Sequence, residues 1–197
     1  MSTAIPGPDG ALRCPWALST ADYLAYHDEE WGRPVHGDAA LYERLTLEAF
    51  QSGLSWLTIL RKREGFRAAF AGFNPDVVAG YGAGDSERLM SDVRIVRNRA
   101  KIAAAITNAR ALVRLRDAEG DGALDRLVWS FAPDGHQAAP TTLADVPPTT
   151  PESAALAKAL KRHGFAFVGP TTVYATMQAT GVVNDHLASC VAREPTR

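Results

Sequence analysis

The sequence of 197 residues lacks several patterns that would place it in familiar classes. It has no apolar run near the roughly 20 residues of a membrane-spanning helix, and its first residues lack a basic and then apolar signal pattern. It also has no internal repeats and no alternating run of useful length that would predict a strand. We therefore predict a cytoplasmic protein with no membrane span and an all-α fold.

The sequence also has few cysteines and a net charge close to zero. Two cysteines are present, near the two ends, which favours a reducing compartment with thiols that are free or bound to metal. The formal net charge is −1, so binding to nucleic acid would need a local basic face rather than the field of the whole molecule. The HExxH pattern of many catalytic zinc sites is absent, which argues against metal-assisted hydrolysis.

The length and a hydrophobic content of 46% are enough for one substantial core. Prolines and glycines crowd the start of the chain and predict an irregular, flexible lead-in, and prolines also predict a long loop over residues 132–150. We predict a flexible segment at residues 1–13, a single compact helical domain at residues 14–192, and a tail at residues 193–197. The sequence leaves the role of the proline-rich loop open.

A basic segment stands out against this nearly neutral composition. Residues 93–116 include seven basic residues and no acidic one, on what the periodicity predicts to be a long helix. They could form a solvated face balanced by acidic neighbours, or a face that contacts phosphates. The seven are Arg94, Arg97, Arg99, Lys101, Arg110, Arg114 and Arg116.

Both cysteines have a histidine nearby in the sequence. Cys14 and His27 precede the body of the predicted fold, and His186 and Cys190 close it on a predicted short last helix. Two thiolates and two imidazoles are a complete tetrahedral set for zinc. Because the spacing from Cys14 to His27 is not that of a standard zinc finger, buried free cysteines and core histidines stay open as the alternative.

A helix, a glycine-bearing turn and a second helix are predicted between Thr150 and Thr180. Gly164 is predicted to end the first helix and Pro170 to begin the second. Free N–H groups at such a turn can face a phosphate without reading sequence, although a plain αα-hairpin is the common alternative. The N–H groups are those of Val168, Gly169, Thr171 and Thr172.

Glu48 is predicted to lie on the apolar side of a helix that begins near Asp38 and ends at Gly53. A buried carboxylate must be paired, neutral, or available to a cationic partner, because an isolated buried charge is very costly. Four aromatic residues lie in the same part of the sequence, and flat rings around an anionic group suit a planar cationic ligand. A salt bridge and ordinary core packing are the alternatives. The aromatic residues are Trp16, Tyr23, Tyr26 and Trp56.

Six ordered motifs extend over nearly everything from Cys14 to Cys190. They are CPWA from residue 14, YLAYHDEEWGRPV at 23–35, LTLEAFQSGLSWLTILRKRE at 45–64, IVRNRAKIAAAITNAR at 95–110, LVWSF at 127–131 and HGFAFVGPTTVYATMQATGVVNDHLASC at 163–190. Together they resemble the DNA-3-methyladenine glycosylase I family of the helix-hairpin-helix glycosylase superfamily. The resemblance implies a base-excision repair enzyme that flips 3-methyladenine out of alkylated double-stranded DNA and hydrolyses its glycosidic bond, leaving an abasic site.

The resemblance also implies roles for residues. One structural zinc per chain would be held by Cys14, His27, His186 and Cys190 and would join the N- and C-terminal segments of a compact helix-hairpin-helix fold. We also predict a monomer.

The remaining implied roles concern base and DNA contacts. Glu48 would contact the excised base as the catalytic group, and Leu54 is the candidate wedge that fills the gap left by the flipped nucleotide. The turn around Gly169, with Val168, Thr171 and Thr172, would hold the DNA backbone. The base pocket would be formed by Trp16, Tyr23, Tyr26, Glu48 and Trp56.

The implied chemistry needs little acid catalysis, because methylation at N3 makes adenine cationic and its glycosidic bond labile. Other helix-hairpin-helix glycosylases have an aspartate shortly after the hairpin, whereas this family lacks it in the usual place. Asp185 lies somewhat too close to Gly169 for that role, and we predict that it caps the last helix beside His186. The sequence leaves open whether Asp185 assists the attack of water. No lysine is placed as a Schiff-base nucleophile, so we predict a monofunctional enzyme without strand cleavage.

Two other functions are consistent with parts of the pattern. One is a zinc-stapled helical protein that binds DNA or senses lesions without chemistry, against which Glu48 in an aromatic pocket argues. The other is a metal-dependent hydrolase, in which chelation would stop turnover without loosening the fold. The sequence leaves open the breadth of lesions accepted and the basic residues that meet phosphates.

Overall fold

Helices make up almost all regular structure in the computed structural model, which describes residues 3–133 and 138–193. These residues contain nine α-helices, which confirms the all-α prediction, and none of the nine is long and apolar enough to cross a membrane. Residues 1–2 of the lead-in, 134–137 of the proline-rich loop and 194–197 of the tail lie outside the described residues. The helices are α1 (Ala21–Glu29), α2 (Asp38–Gln51), α3 (Trp56–Ala69), α4 (Pro75–Ala79), α5 (Ala83–Ser91), α6 (Arg99–Glu119), α7 (Ala123–Trp129), α8 (Pro151–Arg162) and α9 (Pro170–Ala179).

Local sequence signals set most helix ends as predicted. The hydroxyl of Thr150 accepts a hydrogen bond from the N–H of Ser153 at the start of α8, and Pro170 begins α9. Gly164 ends α8 with a φ of 87°, a left-handed conformation that costs glycine little. The predicted long basic helix is shorter than expected, because the side chain of Asn98 caps α6 and the preceding residues form a loop.

The lead-in is more regular than its prolines and glycines predict. Strands β1 (Ile5–Pro6) and β2 (Leu12–Arg13) pair in an antiparallel ladder, so the expectation of an irregular course was wrong here. The physical reason is long-range: the buried Arg13 guanidinium donates hydrogen bonds to the carboxylates of Asp9 and Asp28. The backbone carbonyl of Leu12 also accepts a hydrogen bond from Val191, which joins the lead-in to the C-terminal segment.

The predicted short last helix is absent from the described residues after α9. Residues 182, 183, 185, 186 and 187 all bury their side chains, and successive buried positions cannot share one face of a helix at the protein surface. The segment instead forms turns. Asp185 does not cap a helix, because its carboxylate accepts hydrogen bonds from two side chains of α9.

Helix α2 packs against α9, α6, α3 and α7 in the centre of the core. One of its faces buries Leu41, Leu45 and Glu48, as the periodicity predicts. Beside it a cluster of stacked and edge-on rings fills the core, formed by Phe50, Phe66, Phe70 and Phe73. This packing sets Glu48 against α1, α3 and α9.

Helix α6 supports two turns that are far apart in the sequence. The buried ammonium of Lys101 donates hydrogen bonds to the carbonyls of Phe50 and Ser52, where α2 ends. Further along α6, the amide of Asn108 bonds both the N–H and the carbonyl of Ala166, in the turn between α8 and α9. The relative position of the two turns therefore depends on one helix.

Substitution of Lys101 by methionine is expected to lower the free energy of unfolding by about 2 to 3 kcal/mol, because two backbone carbonyls lose their donor. Urea denaturation measures this change. Arg99→Met is the matched control on the same helix, since Arg99 is an exposed residue paired only with exposed Glu87. Equal stability of the two variants would contradict the supporting role given to Lys101.

Candidate active site and metal cluster

A cavity of about 470 Å³ opens between α1, α2, α3 and α9. All five residues predicted to form the base pocket line it, and five more residues complete its wall. The predicted residues are Trp16, Tyr23, Tyr26, Glu48 and Trp56, and the additional ones are Ser19, Trp31, Gln51, Ala175 and Gln178.

Glu48 is the one acidic side chain that lines this cavity. It is 6% exposed, and no residue in the described part of the chain forms a hydrogen bond or ion pair with its carboxylate. Burial raises the pKa of Glu48 to about 8, against a smaller lowering by the charge of Arg44. The salt bridge considered as an alternative is not formed among the described residues, and burial favours the protonated form of the carboxyl group.

Two donors in the cavity wall are also without partners. The hydroxyl of Tyr26 and the indole N–H of Trp56 are buried and form no hydrogen bond with any described residue. Their rings lie 5.4 Å apart at an angle of 45°. Tyr23 differs, because its hydroxyl accepts a hydrogen bond from the backbone N–H of Leu57 at the start of α3. Unpaired buried donors are costly in a plain core, so they favour a polar planar ligand over simple aromatic packing.

The four predicted metal ligands come together next to this cavity, all of them buried. Nε2 of His27 lies 3.1 Å from Nδ1 of His186 and 3.4 Å from Sγ of Cys190, and Cys190 Sγ lies 3.6 Å from His186 Nδ1. Sγ of Cys14 is 4.0 Å from His186 Nδ1. A zinc tetrahedron has ligand-to-ligand edges of about 3.3 to 3.8 Å, given its bond lengths of ~2.0 to 2.3 Å. The donor types fit that ion, and the three separations among His27, His186 and Cys190 lie close to these edges, whereas Cys14 lies slightly farther out.

Outer hydrogen bonds orient both imidazoles toward the centre of the cluster. Nδ1 of His27 lies 2.8 Å from the carboxylate of Asp28, and Nε2 of His186 lies 2.9 Å from the carbonyl of Trp31. Both partners only accept hydrogen bonds, so each ring carries its proton on that side. The other two nitrogens then face each other with lone pairs at 3.1 Å, an arrangement that a cation between them stabilises.

The thiols add a second sign of a cation site. A hydrogen bond from Cys14 lowers the pKa of Cys190, and the same contact raises the pKa of Cys14. The pair therefore shares a proton unless a cation compensates two thiolates. The described part of the proline-rich loop packs beside this site: Leu143 contacts the hydrophobic cluster that contains both cysteines, and the carbonyl of Pro140 accepts a hydrogen bond from Ala188.

The cavity and the metal cluster share a wall. Trp16 lines the cavity and lies edge-on to the ring of His27 at 5.1 Å. Trp31 lines the cavity as well, and its ring lies 4.7 Å from that of His186. The next residue, Gly32, has a φ of 77°, and a Cβ there would lie 3.0 Å from the His186 ring. The cluster therefore holds two aromatic walls of the cavity in position.

Sequence reasoning missed the cavity residues of α9. Gln178 and Ala175 reach the cavity because the C-terminal end of α9 packs closely on the loop after α1. At Gly181 a Cβ would lie 2.6 Å from the backbone of Arg33, and the N–H of Gly32 bonds the carbonyl of Gln178. The glycines at the contact were the available signal, but nothing local indicates which segments meet.

The residues predicted to contact DNA lie on two turns. Leu54 follows α2 and is 42% exposed. Val168 buries its side chain, Gly169 caps α9, and Thr171 and Thr172 occupy its first turn. Among the described residues, no backbone carbonyl accepts from the N–H groups of these four, which leaves the donors available.

Most basic side chains of residues 93–116 bond to other groups of the same chain. Arg94 pairs with Asp92, Arg99 with Glu87 and Arg116 with Asp76, while Arg110 donates to the carbonyls of Ala79 and Tyr81. For Arg94, Arg99 and Arg116 the prediction of a solvated face balanced by acidic neighbours is confirmed. Arg97 and Arg114 are exposed and have no ion-pair or hydrogen-bond partner among residues 3–133 and 138–193. The guanidinium of Arg114 lies beside Gly164, at the turn between α8 and α9.

Comparison with known proteins gives one consistent result. Residues 16–194 match the family model described as methyladenine glycosylase. The chain is 48% identical over 181 residues to DNA-3-methyladenine glycosylase 1 of Escherichia coli (strain K12), covering 90% of this chain and 95% of that protein. It is 42% identical to DNA-3-methyladenine glycosylase of Haemophilus influenzae, covering 90% and 96% of the two chains.

The fold matches a solved structure in the same way. The 3-methyladenine DNA glycosylase I of Staphylococcus aureus, described with the structural basis of its 3-methyladenine recognition, superposes with a TM-score of 0.87 at 33% identity. The match covers 94% of this chain and 98% of that one.

Proposed function

The chain belongs to the methyladenine glycosylase family, and from this membership we propose that it excises 3-methyladenine from alkylated double-stranded DNA through base contacts made by Glu48. The family makes it a glycosylase of base-excision repair. The observation that carries the proposed role of Glu48 is a buried, unpaired carboxyl group in an aromatic cavity. A protein that only binds DNA or senses lesions has no use for such a group.

The cavity suits a flat cation better than a neutral base. Rings of Trp16, Tyr26 and Trp56 present π-faces or edges to a planar guest. A cationic base that enters the cavity provides the positive partner that Glu48 does not have within the protein. It therefore stabilises the ionised carboxylate. The carboxylate in turn accepts hydrogen bonds from the base and stabilises it while the bond breaks. Neutral adenine offers no such charge.

The chemical step follows from the charge of the lesion. The bond between C1′ and N9 breaks, its electron pair goes to the cationic base, and the base leaves neutral. Water forms the new bond to C1′ and loses a proton, which leaves an abasic site. Because the leaving group needs no proton, binding that favours the cation accounts for much of the catalysis.

Release of free 3-methyladenine tests this function. The wild-type chain incubated with methylated DNA is expected to release the base, detected by chromatography, and to leave a matching number of abasic sites. Binding to the DNA without any base release would favour the lesion sensor.

We also propose that the four-residue cluster holds one structural zinc per chain. The ligands would be Cys14, His27, His186 and Cys190, and their donor types and separations support this ion. Bound there, zinc would compensate the thiolates and join the two ends of the chain. All four ligands and all cavity residues come from one chain, which supports a monomer.

For DNA contact we propose that the turn between α8 and α9 binds the backbone as a helix-hairpin-helix. The free N–H groups of Val168, Gly169, Thr171 and Thr172 support this role, and the exposed Leu54 supports the role of wedge into the gap left by the base. Helix α6 keeps the two turns at a set distance.

Two arginines are expected to carry phosphate contacts from α6 and the loop before it. Arg97→Ala and Arg114→Ala should each weaken DNA binding and reduce the slope of log K against log salt by about one unit. Fluorescence anisotropy at several salt concentrations measures both. Arg116→Ala is the control, because Arg116 is paired with Asp76 and should leave the slope unchanged. If the slope changed in Arg116→Ala and in neither of the other variants, Arg116 and not Arg97 or Arg114 would contact phosphate.

A Schiff-base mechanism is not expected. Lys101 is the buried lysine near the cavity helix, and burial lowers its pKa, but two backbone carbonyls already hold its ammonium group. Borohydride added during turnover should therefore trap no covalent adduct of protein and DNA. Any trapped adduct would end the monofunctional assignment, and one that persists in Lys101→Met would come from a nucleophile other than Lys101.

A further inference from the structure

We propose that Gln178 selects the excised base by its 6-amino group, and that Asp185 and Tyr174 orient the Gln178 amide for this purpose. This inference rests on the proposed function and adds a specificity residue to it. It concerns the discrimination of methylated adenine from methylated guanine.

The orientation of the Gln178 amide follows from its partner. Nε2 of Gln178 lies 2.8 Å from Oδ2 of Asp185, and the hydroxyl of Tyr174 donates to the same oxygen at 2.5 Å. A carboxylate only accepts, so the NH₂ group of the amide must point toward Asp185. The amide oxygen, Oε1, then points away from it. Asp185 is 4% exposed, so water does not compete freely for these bonds.

Tyr174 donates a hydrogen bond to Asp185 over the whole ordinary pH range. Burial, and then the neighbouring Asp185, raise the pKa of Tyr174 above its usual range. The phenol stays protonated at any ordinary pH and donates to Asp185. Because Tyr174 and Gln178 lie one turn apart on α9, both donors reach the same oxygen from one rigid helix.

We infer that the free end of the amide, Oε1, faces the cavity. Gln178 lines the cavity, and its Oε1 accepts no hydrogen bond from any residue within the described ranges. Glu48 provides a second, acidic acceptor in the same wall. An adenine presents an N6 amino group with two hydrogens, which two acceptors can share, whereas a guanine presents the O6 carbonyl. An oxygen facing an oxygen without a hydrogen is repulsive, so Gln178 disfavours guanine.

Gln51 provides a matched comparison in the same wall. It also lines the cavity, but its amide has no side-chain partner among the described residues, so it can turn either its oxygen or its NH₂ group to a guest. Such an amide does not distinguish a donor from an acceptor on the base. The Gln178 amide is therefore held in one orientation and the Gln51 amide is not, so Gln51 serves as the control.

The test compares release of two lesions from one methylated DNA. Gln178→Leu is expected to lower kcat/KM for 3-methyladenine about tenfold, the equivalent of one good hydrogen bond, and to leave kcat/KM for 3-methylguanine unchanged or higher, because its O6 no longer faces the amide oxygen. The ratio of the two rates should fall about tenfold. Gln51→Leu should change both rates by the same factor. A ratio within twofold of wild type in Gln178→Leu would overturn the proposal.

Two further variants test the orientation. Asp185→Asn can donate to the Gln178 oxygen and so turn the amide, which should shift the ratio toward 3-methylguanine beyond the effect of Gln178→Leu. Tyr174→Phe retains Asp185 and should lower the ratio two- to threefold. If Asp185→Asn fails to fold, Tyr174→Phe still tests the orientation, with the quenching of tryptophan fluorescence by free 3-methyladenine and by free 3-methylguanine as a second measure of the ratio. If the ratio were unchanged in both Tyr174→Phe and Gln178→Leu, Gln178, Asp185 and Tyr174 would have a structural role and no role in base selection.

Failure of this inference and failure of the proposed function give different results. If the wild-type chain releases no 3-methyladenine, the function itself is wrong. If it releases 3-methyladenine normally but the substitutions leave the ratio unchanged, only the role of Gln178 is wrong.

Discussion

Chelation of the proposed zinc is expected to remove most of the stability of the fold. Structural zinc contributes on the order of 10 kcal/mol or more, which is comparable with the whole free energy of unfolding of a typical domain. The chain as purified should contain about one zinc by elemental analysis. Calorimetry with and without a strong chelator should show the thermal transition falling sharply or disappearing.

The effect should extend to base binding, because Trp16 and Trp31 connect the cluster to the cavity. Quenching of tryptophan fluorescence by free 3-methyladenine should be lost together with the metal and regained when zinc is restored. A metal-dependent hydrolase would behave differently, since it would lose turnover on chelation and keep its thermal transition.

Substitution of single ligands separates this site from general damage. Cys14→Ala and His186→Ala should each lose the metal and the cooperative transition. His36→Ala is the control, because His36 is an exposed histidine that pairs with Asp125 away from the cluster. A chain that lacks metal and yet unfolds at the same temperature with or without chelator would contradict the zinc proposal.

Glu48→Gln is expected to lower the release of 3-methyladenine by a factor of about 100 or more, a typical loss when one preorganised electrostatic group is removed. The amide keeps the shape of the side chain but cannot ionise when the cationic base enters. Single-turnover release from methylated DNA measures the change. Glu64→Gln, an exposed carboxylate on α3, is the control and should release base at the wild-type rate. Release by Glu48→Gln at the wild-type rate would remove Glu48 from the mechanism.

The same substitution should stabilise the fold in a pH-dependent way. The folded pKa of Glu48 is about 8, above its ordinary value of 4.5, so the native state binds the proton more tightly. This contribution to stability is present below about pH 4.5 and is lost as the pH rises through 8. Glu48→Gln has no such loss. Its advantage over wild type should be near zero at pH 4.5 and reach a few kcal/mol at pH 8.5.

Urea denaturation of both chains at the two pH values measures this difference, and other titrating groups cancel because both chains share them. A variant that gains stability at high pH and loses activity would show that a destabilising group is kept for function. An advantage that does not depend on pH would instead mean that folding does not raise the pKa of Glu48.

Several features could be predicted from the sequence because they depend on residue type and spacing along one element. Helix ends at Thr150, Gly164 and Pro170 follow from capping and backbone preferences. Glu48 falls on an apolar face because the helical period puts it there. For these helix ends and for Glu48 the physical cause is local. The two cysteines and two histidines were candidate ligands by residue type, but only the resemblance to the family selected them as a zinc set, and their meeting depends on the tertiary structure.

The tertiary structure decided everything that depends on which distant segments meet. It pairs most of the basic segment with acidic residues and carbonyls, and it leaves Arg97 and Arg114 exposed. It turns the expected last helix into buried turns and brings Gln178 and Trp31 into the cavity wall. It also gives Asp185 two donors from α9 instead of a helix cap. These outcomes are set by packing across the core, where each contact depends on all elements at once, so periodicity and spacing do not specify them.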